Sequence, residues 1–121
     1  MKIDAQEFVG ALFSARDFAH KAHLNTDSYA QHMALNAFYD EIVGLADDFA
    51  EAWMGRNLKQ LGDIPVMPQP KGEPLEVLGR YLNYVEKNRD FVPDTDTALQ
   101  NIIDEVVALF LSTIYKLKFL K

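Results

Sequence analysis

The feature that most constrains the fold is a break rich in proline and glycine that divides two long stretches of helically spaced apolar residues. The break covers residues 62–72 and contains Gly62, Pro65, Pro68, Pro70 and Gly72. Because proline fixes φ and lacks an amide hydrogen, this density of proline predicts an extended or polyproline connection. No stretch alternates apolar and polar residues long enough to indicate a strand. The sequence therefore predicts an all-α protein.

Each stretch is interrupted once more, which predicts four helices in two hairpins. The first stretch runs from about Asp4 to Leu58 and breaks at residues 25–27, and the second runs from Pro74 to the C-terminus and breaks at residues 93–94. Two helical hairpins joined by a longer connection are typical of a four-helix bundle. A chain of 121 residues is long enough for one such domain, so residues 1–121 are expected to form a single helical domain.

The helix ends carry recognisable signals. The first helix is expected to end near His23 and Leu24, and the second to be capped by Asp27 or Ser28, whose side chains accept hydrogen bonds from free amides. The third is expected to begin at Pro74, because proline suits the first helical position. The second is expected to continue to about residue 57, and the fourth to be capped within residues 94–96.

Apolar residues recur every three or four positions in each predicted helix, which gives each one a buried stripe. The expected core residues are Phe8, Leu12, Ala15, Ala19 and Ala22, then Ala34, Leu35, Phe38, Ile42, Leu45, Phe49 and Trp53, then Leu75, Leu78, Leu82 and Val85, and finally Leu99, Ile102, Ile103, Val106, Phe110, Thr113 and Leu117.

Composition excludes several classes of function. The chain has no cysteine, so disulfides, thiolate metal sites and cysteine nucleophiles are absent. Its 18 acidic and 12 basic residues give a net charge of −6, the opposite of the usual balance in a duplex-binding domain, so no DNA binding is expected. No signal peptide is recognised, and no segment is expected to span a membrane. A cytoplasmic protein is therefore expected.

The second helix carries possible metal ligands beside its apolar stripe. At about 100° per residue, a polar ladder gathers in an adjacent sector, where a second subunit could pack. The ladder contains His32, Asn36, Asp40, Asp47 and Glu51. His23 lies at the end of the preceding helix, and Asp47 and Glu51 stand one turn apart. Imidazole and carboxylate ligands suit iron, manganese or zinc, although acidic residues four apart are more often a solvated face.

The same residues resemble the ferroxidase stretch of the Dps miniferritins. The resemblance rests on Ala22-His23-Leu24-Asn25, on His32-Met33-Ala34-Leu35-Asn36 and on Asp47-Asp48-Phe49-Ala50-Glu51. That family has Ala-His-Trp-Asn at the end of its first helix, then a second histidine, then Asp-x-x-x-Glu fifteen positions beyond that histidine. The separation from His32 to Asp47 is the same in this chain. The resemblance covers roughly residues 18–55.

The resemblance implies a ferritin-like four-helix bundle that binds iron between the subunits of a homo-oligomer, at least a dimer. Residue by residue, it implies His23, His32, Asp47 and Glu51 as the iron ligands. In the family, the two histidines of one subunit face the carboxylates of a dimer mate. The implied activity is a ferroxidase in which two Fe(II) ions, bridged by Glu51 with Asp47 beside them, are oxidised by oxygen or peroxide.

Three departures from the family pattern bear on that site. Leu24 stands where the family usually has tryptophan, and the loop between the histidines is about three residues shorter. Asn36 stands where the family commonly has another acidic ligand, and a neutral amide binds a second metal more weakly. His20 offers an alternative alignment, because it lies twelve positions before His32, as in the family without a gap.

A non-enzymatic alternative remains open. The same bundle could bind a protein partner or a small anionic ligand at its oligomer interface, as an accessory protein of a phage could do. Scattered arginines could converge in an oligomer to hold such an anion. They are Arg16, Arg56, Arg80 and Arg89.

Overall fold

A computed structural model describes residues 1–121 as four α-helices without a β-strand. The helices are α1 (Ala5–Leu24), α2 (Tyr29–Asn57), α3 (Pro74–Asn88) and α4 (Thr97–Phe119), and a 3₁₀ turn, Arg89–Phe91, follows α3. The predicted all-α four-helix bundle is therefore confirmed. The predicted helix ends are also confirmed, because they depend on local signals that the chain carries at each break.

Side-chain caps begin three of the helices. Asp4 accepts a hydrogen bond from the Glu7 amide at 2.8 Å, and the Glu7 carboxylate accepts one from the Asp4 amide at 3.2 Å, which completes a capping box at α1. Ser28, and not Asp27, caps α2 by accepting from the Gln31 amide at 3.2 Å. The third cap, at α4, is Asp96. Each cap satisfies an amide that the helix leaves free.

The connection between the hairpins runs along the whole length of α1. At its start, Gln6 donates a hydrogen bond to the Leu61 carbonyl at 2.5 Å, and near its end Lys21 donates to Gln69 at 3.4 Å. The chain therefore returns to the opposite end of the bundle before α3 begins. As a result α1 and α4 run in one direction, and α2 and α3 run in the other.

One core of 22 buried residues lies between the four helices. At its centre Phe8 contacts Phe49, with ring centroids 4.7 Å apart, and Phe38 contacts Phe110 at 5.0 Å. The predicted stripes are buried except for a few half-buried members: Ala22, Leu45, Trp53, Leu75, Ile102 and Leu117. The core face of each helix was therefore predicted correctly.

The third helix corrects one detail of the predicted core. Leu75 is half-buried, whereas Val77 and Tyr81 are buried and take part in the core. The hydroxyl groups of Tyr81 and Ser14 share a buried hydrogen bond of 2.6 Å, which joins α3 to α1. Burial also raises the pKa of Tyr81. Apolar spacing did not predict that Tyr81 is buried, because a buried tyrosine needs a hydrogen-bond partner for its hydroxyl group. That partner, Ser14, lies on another helix.

The fourth helix corrects the expectation that no segment could span a membrane. By length and composition alone, α4 is apolar enough to do so. Its apolar residues lie on two faces, however, since Ile103, Val106 and Phe110 are in the core while Leu111 and Tyr115 are exposed. The core face packs against α2 and α3, so α4 is an integral helix of the bundle.

Candidate metal centre

The three histidines of the chain form an aromatic stack with Tyr39 where α1 meets α2. The rings of His23 and His32 lie 4.1 Å apart between centroids, and the ring of His20 lies 4.2 Å from that of Tyr39. His23 also meets Tyr39 edge-on at 5.1 Å. The two histidines that the sequence singled out as ligands are therefore brought together, with the alternative His20 beside them.

A short reversal of the chain produces this arrangement. His23 lies in the last turn of α1, His32 lies in the first turns of α2, and residues 25–28 connect the two helices. In the turn, Thr26 accepts hydrogen bonds from the Ser28 amide at 3.1 Å and from Gln31 at 2.9 Å. Because the turn is this short, α1 and α2 are antiparallel neighbours and their adjoining ends face each other.

Hydrogen bonds to the backbone fix the orientation of both rings. The His23 Nδ1 lies 3.1 Å from the His20 carbonyl oxygen, and the His32 Nδ1 lies 2.8 Å from the His23 carbonyl oxygen. A carbonyl oxygen only accepts, so each Nδ1 carries the hydrogen and donates it. In each neutral ring Nε2 then keeps the lone pair that could bind a metal. The bond from His32 also satisfies the His23 carbonyl, one of those that the end of α1 leaves free.

The two predicted carboxylates lie far from these histidines in the same chain. Asp47 is fifteen residues beyond His32 on α2, a distance of about 22 Å along the helix at 1.5 Å per residue. Asp47 and Glu51 are both exposed. No group of three or more possible ligand side chains is clustered to hold a metal within one chain. The four predicted ligands therefore form two separate pairs.

The polar ladder of α2 faces outward. The sequence had predicted instead that it lies directly beside the core stripe. Asp40, Asp47 and Glu51 are exposed, while His32 and Asn36 are half-buried at its edge. The reason is the helix period: at about 100° per residue, Asp47 lies on the opposite side of α2 from the buried Phe38. The ladder is consequently on the surface that a second molecule could contact.

Asn36 is already engaged within its own chain. Its amide oxygen accepts a hydrogen bond from the Tyr39 hydroxyl at 2.8 Å, and its amide nitrogen donates to Asp40 at 3.3 Å. The side chain thus positions Tyr39 at the edge of the histidine stack. Sequence reasoning did not identify Tyr39, although its place two turns after His32 puts both residues on one face of α2.

Similarity to a phage protein and to a family model extends over most of the chain. Enterobacteria phage T4 has a similar protein, described as an uncharacterized 14.6 kDa protein in the mobD-ri intergenic region. The two are 26% identical over 113 residues, which cover 93% of this chain and 87% of the relative. No solved structure matches the chain. The model of a family of unknown function (DUF5856) matches residues 23–117, most of the chain, and the protein therefore belongs to that family.

Proposed function

We propose that this protein binds Fe(II) between two subunits, in the manner of the Dps miniferritins that its sequence resembles. The histidines at the α1–α2 junction of one subunit would provide nitrogen ligands, and Asp47 and Glu51 of the other would provide oxygen ligands. The observation that carries the proposal is the orientation of His23 and His32, whose Nδ1 groups donate to carbonyl oxygens. Second-shell hydrogen bonds of this kind are usual for histidines that bind metals through Nε2.

An antiparallel pair of α2 helices would assemble the site. If a two-fold axis passes near Asp40, His32 of one subunit lies opposite Asp47 of the other, because both are seven or eight residues from residue 40. Glu51 follows one turn beyond Asp47. A metal ion between the subunits would reach His32 first, because His32 is half-buried whereas His23, behind it, is only 7% exposed.

The connectivity of the bundle also supports the proposal. Two hairpins joined by one crossover along the full length of the bundle are the arrangement of ferritin-like folds, in which carboxylate and histidine ligands come from facing helices. Here the crossover is the connection held to α1 through Gln6 and Lys21. One fold can host many functions, so the proposal rests mainly on the ligand side chains, and the connectivity is additional support.

The chemistry would follow from the charge of the ligands. Two carboxylates and neutral imidazoles match the preference of iron for oxygen and nitrogen donors, and carboxylates favour the more highly charged ferric state. Iron is the substrate: each Fe(II) gives up one electron, and dioxygen or peroxide accepts the electrons. The protein would supply two ordered half-sites and bring them together.

Metal and dimer formation should be linked. The proposed axis brings Asp40 of each subunit close to its copy, and like charges repel, so metal-free subunits would pair weakly through α2. A ligand that binds only the dimer shifts the equilibrium towards the dimer. We therefore expect Fe(II), added without oxygen, to pair subunits through α2, to raise the average mass in light scattering above that of the metal-free protein, and to bind with measurable heat in calorimetry.

Glu51→Ala and His32→Ala should each abolish most of the Fe(II) binding and the metal-dependent dimer. Glu41→Ala is the matched control, because Glu41 is an exposed glutamate of the same helix that faces α4. Elemental analysis and anaerobic titration measure the binding, and the absorbance of ferric products after oxygen is added measures the oxidation. Equal losses in all three variants, or no binding by the unmodified protein, would contradict the proposal.

Mixing the two inactive variants tests whether the site is shared. A heterodimer of Glu51→Ala and His32→Ala subunits contains one site that lacks both groups and one site in which both are intact. The mixture should therefore regain part of the Fe(II) binding that neither variant has alone. A site formed within one subunit would not be restored by mixing.

The second candidate is a non-enzymatic bundle that binds a protein partner. The arginines favour this version over binding of a small anion, because each already pairs with a carboxylate. The pairs are Arg16 with Asp17, Arg56 with Asp96, Arg80 with Glu76 and Arg89 with Asp104, with nitrogen–oxygen distances of 2.6–3.5 Å. Retention of a partner protein after chelation of metals, by a chain that binds no Fe(II), would favour this candidate.

A further inference from the structure

The outward face of α4 carries a stripe of exposed residues, of which only Asp104 makes an ion pair within the chain. The stripe contains Asp104, Ala108, Leu111, Tyr115 and Lys118, and all five are exposed. Their spacing is four, three, four and three residues, which keeps them on one face over two heptads. Heptad spacing is the pattern by which one helix packs along another, so this face is suited to a second helix.

The middle of the stripe is apolar. Leu111 is 53% exposed and Tyr115 is 54% exposed, and Phe119, at 66%, lies 5.8 Å from Tyr115 between ring centroids. Single exposed apolar residues are common on protein surfaces, but neighbouring large ones on a single helix face indicate a contact surface. Together with the core residues of α4, such as Ile103, Val106 and Phe110, they make the helix apolar on two faces.

The ends of the stripe carry opposite charges at equal distances from its centre. Asp104 lies seven residues before Leu111, and Lys118 lies seven residues after it. Two copies of α4 in a parallel, in-register pair would place like charges together. An antiparallel pair centred on Leu111 would instead place Asp104 of each copy opposite Lys118 of the other, so the stripe is complementary to itself only in that direction.

We propose that α4 pairs with α4 of a second copy, antiparallel, about a two-fold axis near Leu111. Leu111 packs on its own copy at the axis, and the large ring of Tyr115 packs over the small Ala108 of the other copy on each side. Two Asp104–Lys118 pairs then close the ends. The interface is isologous, because the same patch serves both subunits. It goes beyond the proposed iron site, since it uses a different helix and needs no metal.

Asp104 is able to make this contact while keeping its bond within the chain. Its Oδ1 accepts a hydrogen bond from Arg89 at 2.6 Å, and its side chain is 61% exposed, so Oδ2 can accept from Lys118 of the second copy. Arg89 itself is held by Gln100, whose amide oxygen accepts at 2.8 Å. The acidic end of the stripe is therefore ordered before the subunits meet, which lowers the entropy lost on pairing.

Charge reversal at the two ends provides the decisive experiment. Asp104→Lys creates two repulsive lysine pairs in its homodimer, and Lys118→Asp creates two repulsive aspartate pairs, so each variant should dimerise roughly tenfold or more weakly than the unmodified protein. In an equal mixture, however, every pair at the ends is attractive again. Analytical ultracentrifugation of the mixture in EDTA should therefore recover a dimer that contains one copy of each variant.

Controls separate pairing from folding and from charge alone. Glu86→Lys and Lys87→Asp make the same charge changes at exposed positions of α3, and they should leave the dimer intact. Leu111→Asp, at an exposed position, should abolish the dimer while circular dichroism keeps the helical signal. A monomer in the unmodified protein over the micromolar range, or a mixture that stays monomeric, would overturn the proposal. Flotation of that monomer with lipid vesicles would assign the stripe to a membrane surface instead.

Discussion

At the scale of single residues, the carboxylate of Asp96 both caps a helix and forms an ion pair. Its carboxylate accepts a hydrogen bond from the Leu99 amide at 3.3 Å, which caps α4, and it binds Arg56 through two bonds of 2.9 and 3.1 Å. The hydrogen bond from Arg56 lowers the pKa of Asp96, and the same contact raises the pKa of Arg56. The pair joins the end of α2 to the start of α4.

We predict that the contribution of Asp96 to the free energy of unfolding depends on pH. Because the pKa of Asp96 is lower in the folded protein, its charge stabilises the fold above the unfolded pKa, and this stabilisation is lost as the pH falls below about 4. Asp96→Asn keeps a capping side chain and removes the charge. Its free energy of unfolding in urea should be below that of the unmodified protein at pH 7, and the gap should narrow in acid.

A neighbouring residue provides the reference for that measurement. Asp94 is exposed and has no ion pair, so Asp94→Asn should unfold at nearly the same urea concentration as the unmodified protein at every pH. A gap for Asp96→Asn that stays constant from pH 7 into acid would mean that the charge of Asp96 does not stabilise the fold.

At the scale of helices, α2 ends at a left-handed backbone conformation that is occupied by a leucine. Leu58 lies just beyond the last residue of α2 with φ of 52°, in the left-handed region, and its amide hydrogen-bonds to the Met54 carbonyl. Glycine is the usual residue at this position because a side chain there costs about 1–2 kcal/mol. Leu58 is also 89% exposed, so it gains little from burial in return.

Leu58→Gly should therefore raise the free energy of unfolding by about 0.5–1 kcal/mol. This value is the strain energy that glycine relieves, minus the entropic cost of ordering a glycine when the chain folds. Denaturation in urea measures the change. Leu24→Gly is the matched control, because Leu24 is an exposed leucine in the last turn of α1. At that helical position glycine should lower the stability. A loss of stability in both variants would show that leucine makes contacts beyond α2 that outweigh its backbone strain.

At the scale of the whole molecule, the crossover is held against α1 by a close approach at Gly10. A Cβ atom at this position would lie 2.7 Å from the Pro65 carbonyl oxygen and 3.3 Å from the Met67 side chain. The first contact is with backbone, which cannot simply rotate away. Gly10 therefore allows the connection to lie along α1, and the course of the connection decides the direction in which α3 enters the bundle.

Gly10→Ala should lower the free energy of unfolding by about 1–3 kcal/mol, because the crossover must move or strain. Gly79→Ala is the control within α3, where an added Cβ meets no atom within 4 Å. That variant should instead gain up to about 1 kcal/mol from helix propensity. Thermal and urea unfolding distinguish the two results. An increase in stability for Gly10→Ala would mean that the crossover does not pack against α1 as described.

Local signals along the chain were enough to predict the helices, their ends and most of their core faces, because those features depend on residues within one or two turns of each other. Through its resemblance to the Dps miniferritins, the sequence also predicted His23, His32, Asp47 and Glu51 as metal ligands, and that stays a prediction. Three features became clear only from the packing of the helices: Tyr39 joins the histidines, the acidic ladder faces outward, and Tyr81 enters the core with Ser14. Those outcomes depend on which helix covers which face, and packing between residues distant in the chain settles that.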